Sequence, residues 1–226
     1  MHIPDGYLSP QTYAPLYGVS LVFWSIAVRK MKRELSSRAA PFLAMAAAFS
    51  FLIQMLNIPI PGGTSGHAVG AGITALLLGP WTAVIAVSMV LIIQALVFGD
   101  GGITAIGANC FNMAVVMPFV SYWVFRLVRG KATGERRLSP AAFLAGYAGL
   151  VAAAVAAAVE FGVQPLIATG ADGRPLYAPY PLSIALPVMA LEHLLLFGIV
   201  EGVVTALLLK YFLKHEPGIV HALKEA

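Results

Sequence analysis

The chain has 226 residues, of which 59% are hydrophobic and only 11% are charged, and its mean hydropathy is +0.85. A soluble domain carries about 25% charged residues, so this composition excludes an ordinary soluble protein and predicts an integral membrane protein. The net charge of +4 is explained by basic loops at one membrane surface, and it does not indicate nucleic-acid binding.

Seven apolar stretches predict an all-α bundle of about seven transmembrane helices, each of about 20 residues where it crosses the lipid bilayer. In chain order the predicted spans are 13–28, 39–56, 66–78, 81–98, 103–128, 141–160 and 182–213. We expect one transmembrane domain over residues 1–226. It would comprise an amino-terminal segment 1–12, a helical bundle 13–213 and a polar, mobile cytoplasmic tail 214–226.

Proline and glycine interrupt this pattern at two places that matter for function. In the first segment Pro4, Gly6 and Pro10 oppose a helix. Residues 57–63 hold two prolines and two glycines, and the short third span ends at Gly79-Pro80. Irregular backbone at membrane depth has to line a cavity or pack against protein, so such segments often flank binding sites in transporters.

The basic residues predict how the chain is oriented. Thirteen of the fourteen Lys and Arg residues fall in 29–38, in 126–137 and at Lys210, Lys214 and Lys224. Under the positive-inside rule these regions are cytoplasmic and the amino terminus lies outside, as expected in a prokaryotic cell membrane. The loops 57–66, 99–102 and 161–183 then share the outer side with the amino terminus.

The first residues, Met1-His2-Ile3-Pro4-Asp5-Gly6, can chelate a metal ion. The terminal amine, the main-chain nitrogen of His2 and the His2 imidazole are three successive nitrogens, and they favour the flat geometry that suits Ni(II) or Cu(II). Met1 is expected to be retained because His2 is not small. A fourth ligand has to come from another histidine, and His67 is the better candidate because it lies on the same side.

The opening hexapeptide, the segment Gly62-Gly63-Thr64-Ser65-Gly66-His67 and the seven spans together closely resemble the CbiM/NikM family. These proteins are the substrate-binding (S) components of energy-coupling-factor transporters for cobalt and nickel. The resemblance implies that Ni(II) or Co(II) is the transported substrate and that no organic cofactor is needed. It implies four nitrogen ligands: the Met1 amine, the His2 main-chain nitrogen and imidazole, and the His67 imidazole.

The same resemblance implies partners. They are a transmembrane coupling (T) component, two ATPase subunits and, commonly, a small accessory membrane subunit. The chain has no phosphate-binding G-x-x-x-x-G-K-[ST] motif, so we expect a transporter subunit without its own ATPase and not an enzyme. Ala40, Ala44 and Ala48 would form the small-residue face that packs on the coupling component, although residues 148, 152 and 156 give the same pattern.

Metal-bound histidines usually donate their other ring nitrogen to an oxygen. The candidate neighbours of the site are Ser65, Thr64, Asn109, Asn112, Asp100 and Glu192. Asn109 and Asn112 are three residues apart, so they should share a helix face and reach the pocket together. The alternative is that they bond to neighbouring helices. His193 lies deep in its span, and we expect it to serve helix packing or a subunit contact.

An interpretation from another class also fits part of the chain. Gly63-Thr64-Ser65-Gly66 is similar to the nucleophile motif of rhomboid intramembrane serine proteases, which would make Ser65 and His193 a catalytic dyad. This interpretation leaves Met1-His2 unexplained.

Overall fold

The computed structural model of the protein describes residues 1–34, 40–60, 64–132 and 134–224. Seven of its helices correspond to the seven predicted spans, and a short helix, Gln164–Ile167, follows the sixth of them. The seven are α1 (Pro10–Glu34), α2 (Ala40–Gln54), α3 (Ala71–Leu78), α4 (Pro80–Phe98), α5 (Ile106–Arg129), α6 (Glu135–Gly162) and α7 (Leu182–His215). In the described part of the chain, α4 to α7 are long and apolar enough to cross a bilayer. The prediction of an all-α integral membrane fold is confirmed.

The first helix begins earlier than its sequence indicates. α1 begins at Pro10, and the N–H groups of Thr12 and Tyr13 both donate to the Ser9 carbonyl at 2.9 Å. The prediction that Pro10 opposes a helix is wrong. Proline is well suited to the first helical position, where its missing N–H would have no intrahelical partner.

The third span is helical only from Ala71 onwards. Only Ala71–Leu78 forms a helix, and the chain before it forms a short antiparallel hairpin of β1 (Ile58–Ile60) and β2 (Thr64–Gly66). Residues 61–63, which include Gly62 and Gly63 of the family-like motif, lie outside the described residues. From Gly66 the chain runs irregularly through the protein interior, where residues 66–70 are all buried.

Three of the long helices contain a wider, π-helical stretch. These stretches are Gln94–Phe98 in α4, Cys110–Val116 in α5 and His193–Phe197 in α7. A π-helical turn shifts every following side chain around the helix axis, and such turns are often found at functional sites.

The loops that were predicted to share one side of the membrane lie together at one end of the bundle. The amino-terminal segment bonds there to the loop before α5 through Asp5 and Thr104. It also bonds to the connector before α7, where the Ala178 N–H donates to the Tyr7 carbonyl at 3.1 Å. The hairpin end joins this group through Asn57 and Asp100.

At the opposite end the carboxyl-terminal residues are packed. A 3₁₀ turn, Pro217–Ile219, leads to α8 (His221–Lys224), which packs on α3 and α5. Val220 and Ala222 are buried among apolar side chains of these helices. The prediction of a polar, mobile tail is therefore wrong for residues 217–224, since their apolar side chains join the core.

Candidate metal site

The first three residues of the chain are buried inside the bundle. Met1, His2 and Ile3 are 1%, 4% and 0% exposed. Met1 and Ile3 belong to the apolar core that α3 to α6 also build. A chain terminus normally stays in water because its amine carries a charge, so this burial requires specific compensation.

Ile3 is the main anchor of the amino-terminal segment. Its N–H donates to Oδ1 of Asn109 at 2.9 Å, and its carbonyl accepts from Nδ2 of Asn109 at 3.2 Å. The Gly102 N–H donates to the same carbonyl at 2.8 Å. Both polar groups of the Ile3 main chain thus have hydrogen-bond partners, in the first turn of α5 and in the loop before it.

Two further anchors hold the segment where it turns towards α1. The Asp5 carboxylate accepts from the N–H groups of Ile103, at 3.1 Å, and Thr104, at 2.8 Å. These bonds lower the pKa of Asp5 although partial burial opposes them. The Ser9 N–H donates to Oε1 of Gln164 at 2.9 Å. Residues 1–9 therefore follow a fixed path into the protein.

The two histidines that the sequence singled out meet at the end of this path. The rings of His2 and His67 stack with their centroids 4.6 Å apart and their planes inclined by 21°. His67 is fully buried, and its Nδ1 lies 3.0 Å from the Ala68 carbonyl oxygen. A carbonyl can only accept, so Nδ1 carries the proton and Nε2 of His67 keeps a free lone pair. Within the described part of the chain, that Nε2 makes no hydrogen bond. The ring nitrogens of His2 make no well-aligned hydrogen bond either, although Oδ1 of Asp100 lies within 3.2 Å of Nδ1.

The terminal amine lies beside them. It is 3.5 Å from Oγ of Ser65. Burial lowers the pKa of the Met1 amine to about 5, although the nearby carboxylates of Asp100 and Glu192 oppose the shift. At neutral pH the amine therefore has no added proton and offers a lone pair.

The imidazoles are neutral for the same reason. Burial, helped by the amine, lowers the pKa of His2 to about 3, against a smaller opposite effect of the Gln94 and Gln54 side chains. His67 lies in the third span and is fully buried, where a charge on its imidazole would be costly. The site thus gathers neutral nitrogen donors at pH 7.

In the part of the chain that the structure describes, side chains alone do not build a metal site. Among the described residues, no three His, Cys, Asp or Glu side chains converge closely enough to hold one ion. An ion bound next to His2 and His67 would need the terminal amine or main-chain nitrogens as further ligands.

Ser65, Asp100 and Glu192 were three of the predicted neighbours, and each of them interacts with the amine. Ser65 contacts it directly, while the two carboxylates act on its pKa. Oδ1 of Asp100 is also 3.2 Å from Nδ1 of His2. The side chain of Thr64, a fourth candidate, lies outside the described part of the structure.

The two asparagines do not act together as expected. Asn109 holds the main chain of Ile3 and not a histidine ring, whereas Nδ2 of Asn112 donates to Oε2 of Glu160 at 2.9 Å. A joint reach into the pocket was one of two alternatives that their spacing left open. Asn112 bonds to Glu160 instead, and a π-helical stretch of α5 begins between the two asparagines at Cys110. The alternative, a bond to a neighbouring helix, describes Asn112.

Sequence reasoning missed Gln54 and Gln94, which are fully buried beside His2. Gln54 is the last residue of α2, and Gln94 lies in the π-helical stretch of α4. The available signal was simple, since a glutamine inside an apolar span is costly and usually functional. It also missed the oxygen that His67 uses, which belongs to the next residue and not to any of the six candidates.

The proposed catalytic dyad is not formed. Nδ1 of His193 bonds to the Met189 carbonyl of its own helix at 2.8 Å, and its Nε2 has no hydrogen-bond partner among the described residues. Ser65 instead faces the Met1 amine. The protease interpretation is therefore not supported by the geometry of its two essential residues.

The two small-residue patterns differ in exposure. Ala40, Ala44 and Ala48 are all exposed along one face of α2, whereas the competing residues 148, 152 and 156 on α6 are half-buried. The α2 face is thus the more accessible of the two to another membrane helix.

Known proteins resemble the chain over nearly its whole length. The family model CbiM, described as a cobalt uptake substrate-specific transmembrane region, matches residues 2–219. A fused nickel transport protein NikMN of Rhodobacter capsulatus is 57% identical over 97% of this chain, which spans 64% of that protein's length. A putative metal transport protein of Methanocaldococcus jannaschii is 47% identical over 97% of this chain and 94% of its own length. The crystal structure of a truncated transition metal transporter superposes with a TM-score of 0.91, at 46% identity, over 95% of this chain and 99% of the other.

Proposed function

The chain belongs to the CbiM family, and from that membership we propose that it binds Ni(II) or Co(II) outside a prokaryotic cell membrane and delivers the ion across it. Its similarity to the fused nickel transport protein of Rhodobacter capsulatus supports nickel or a related ion as the substrate. Its relatives are named transport proteins, which favours a transporter subunit over an enzyme.

The proposed ligands are the Met1 amine, the main-chain nitrogen and Nδ1 of His2, and Nε2 of His67. The observation that carries this proposal is the burial of the Met1 amine beside the stacked imidazole rings of His2 and His67. Nδ1 is the His2 ring nitrogen that can close a six-membered chelate ring with the main-chain nitrogen of the same residue.

The chemistry of this donor set favours Ni(II). A main-chain amide gives up its proton only to an ion that binds nitrogen strongly, and four nitrogens around one ion favour a square arrangement. Hard cations such as Mg²⁺ and Ca²⁺ prefer oxygen ligands. In the proposed site Asp100, 3.2 Å from the His2 ring, would balance part of the charge of the ion.

Delivery would depend on partners. We propose a coupling (T) component, two ATPase subunits and a small accessory membrane subunit, with the Ala40, Ala44 and Ala48 face of α2 packing on the coupling component. The exposure of all three alanines supports this assignment, because small exposed residues four apart allow two helices to approach closely.

Calorimetric titration of the purified protein with Ni(II), with a free Met1 amine, tests the ligands. We expect one strongly bound ion, a large loss of affinity in His2→Ala and His67→Ala, and no loss in His215→Ala, which removes an exposed histidine at the end of α7. Acetylation of the Met1 amine should abolish binding, while a tag after Ala226 should not. Wild-type affinity in the acetylated protein would refute the proposed role of the amine.

A further inference from the structure

We propose that Glu201 is the positioning residue that holds the His67 imidazole in its metal-binding orientation, an inference that rests on the function proposed above. Glu201 lies on α7, and its carboxylate is fully buried. Its Oε2 accepts from the Val69 N–H at 2.8 Å, and both of its oxygens accept from the Gly70 N–H, at 3.2 and 3.1 Å.

The contact reaches His67 through a single peptide group. The Ala68 carbonyl and the Val69 N–H belong to the same planar peptide unit. The carbonyl accepts the proton of His67 Nδ1 at 3.0 Å, and the N–H donates to Glu201 at 2.8 Å. Fixing that N–H therefore fixes the carbonyl, and the carbonyl in turn fixes both the tautomer and the direction of the imidazole. Hydrogen bonds linked in this way also polarise one another.

This arrangement resembles the carboxylate–histidine pairs that orient metal ligands in many proteins, with a peptide group between the two side chains. A buried carboxyl group has to be satisfied by hydrogen bonds, and here the donors are the N–H groups of Val69 and Gly70 just before α3. Gly70 can present its N–H to the carboxylate because its φ of 75° is readily adopted by glycine.

Residues 67–70 need this support because they make few regular main-chain hydrogen bonds themselves. Residues 67–70 belong to no helix or strand, so no regular hydrogen-bond ladder fixes their peptide planes. A second hydrogen bond fixes the next peptide group. Oγ of Ser50, on α2, donates to the Val69 carbonyl at 2.7 Å. Ser50 is in turn held by Nε2 of Gln54 at 2.8 Å. The residues after His67 are thus held by hydrogen bonds to both α7 and α2.

The test is a double-mutant cycle. Glu201→Gln keeps the size of the side chain but replaces one acceptor oxygen with a donor. We expect Ni(II) affinity to fall roughly 10- to 100-fold, the range typical for partners of metal-bound histidines. In a His67→Ala background the same substitution should cause no further loss, because its effect passes through His67. Thr205→Val is the matched control, since Thr205 is buried one turn further along α7 and should keep wild-type affinity.

A spectroscopic measurement separates positioning from general destabilisation. In Cu(II)-loaded protein, electron paramagnetic resonance distinguishes four nitrogen ligands from three. The spectrum of Glu201→Gln should shift towards that of His67→Ala, while Thr205→Val stays at the wild-type spectrum. If Glu201→Gln is not recovered as folded protein, Ser50→Ala replaces it, with a smaller loss of affinity and the same dependence on His67.

Two results would overturn the inference alone: wild-type affinity and spectrum in Glu201→Gln beside a weakened His67→Ala, or an equal loss caused by Glu201→Gln in both backgrounds. Wild-type affinity in His67→Ala would instead overturn the proposed ligand set, and this inference with it.

Discussion

Replacing Asn109 with alanine should loosen the amino-terminal segment by an amount that the structure allows us to calculate. The Ile3 carbonyl would keep its bond from the Gly102 N–H at 2.8 Å, but the Ile3 N–H would lose its acceptor. Leaving one buried donor unsatisfied costs about 1 to 3 kcal/mol. Since about 1.4 kcal/mol corresponds to a factor of ten, the fraction of molecules with the segment released should rise about 5- to 140-fold.

The Met1 amine reports this release directly. Met1 is 1% exposed, so an amine-specific reagent can modify it only when the segment leaves the bundle. The labelling rate of the amino-terminal peptide, followed by mass spectrometry without metal, should rise by the same factor. Labelling of Lys214, which is exposed at the end of α7, gives the intrinsic rate of the reagent.

Asn112→Ala is the matched control. Asn112 is buried on the same helix, but it bonds to Glu160 and not to the segment. Its substitution should lower the melting temperature while leaving the labelling rate of Met1 unchanged. An unchanged rate in Asn109→Ala, or an equal increase in both variants, would refute the reasoning.

Three further predictions concern other parts of the molecule. Gly66→Ala should destabilise the protein by about 1 to 3 kcal/mol through overpacking, because the added methyl group would lie 1.9 Å from the Phe197 ring. Thermal melting measures this loss, with Gly18→Ala as the control because no atom lies within 4 Å of a methyl group added there. Equal melting temperatures of the two variants would contradict the prediction. The metal-free protein should become more stable as the pH rises from about 5 to 8, because burial lowers the pKa of the Met1 amine from 8.0 to about 5 and the unfolded chain therefore binds the extra proton in this range. Melting temperatures across that range should rise less in protein whose terminal amine is acetylated, and an identical rise in both proteins would exclude the amine as the cause. Ala44→Leu, on the exposed face of α2, should leave Ni(II) binding intact but prevent assembly with a coupling component, so normal co-purification of the complex would argue against that face.

The sequence predicts the helices well because hydropathy responds to the lipid environment, which is the same for every span. Continuous apolar stretches identify all seven helices, and Gly79-Pro80 separates α3 from α4 as expected. The hairpin before α3 is not predicted, because proline and glycine indicate only that a helix ends there. The packing of residues 217–224 is missed because a few apolar side chains in a polar stretch give a weak signal.

The candidate site is predicted in part. His2 and His67 meet as expected because both belong to irregular segments at the same end of the bundle. The roles of Asn109 and Asn112 could not be separated from their spacing, since the π-helical stretch between them is not visible in the residue pattern. The role of Glu201 depends on a contact with a peptide group 132 residues away in the chain, and a main-chain partner leaves no side-chain motif to recognise.

The anchoring of residues 1–9 also constrains the order in which the protein can mature during synthesis. Ile3 is held by a residue 106 positions later, and Ser9 by a residue 155 positions later. Residues 1–9 can therefore dock only after residues much later in the chain have been made. The histidine at position 2 stays undocked at least until Asn109, which holds the neighbouring Ile3, is in place.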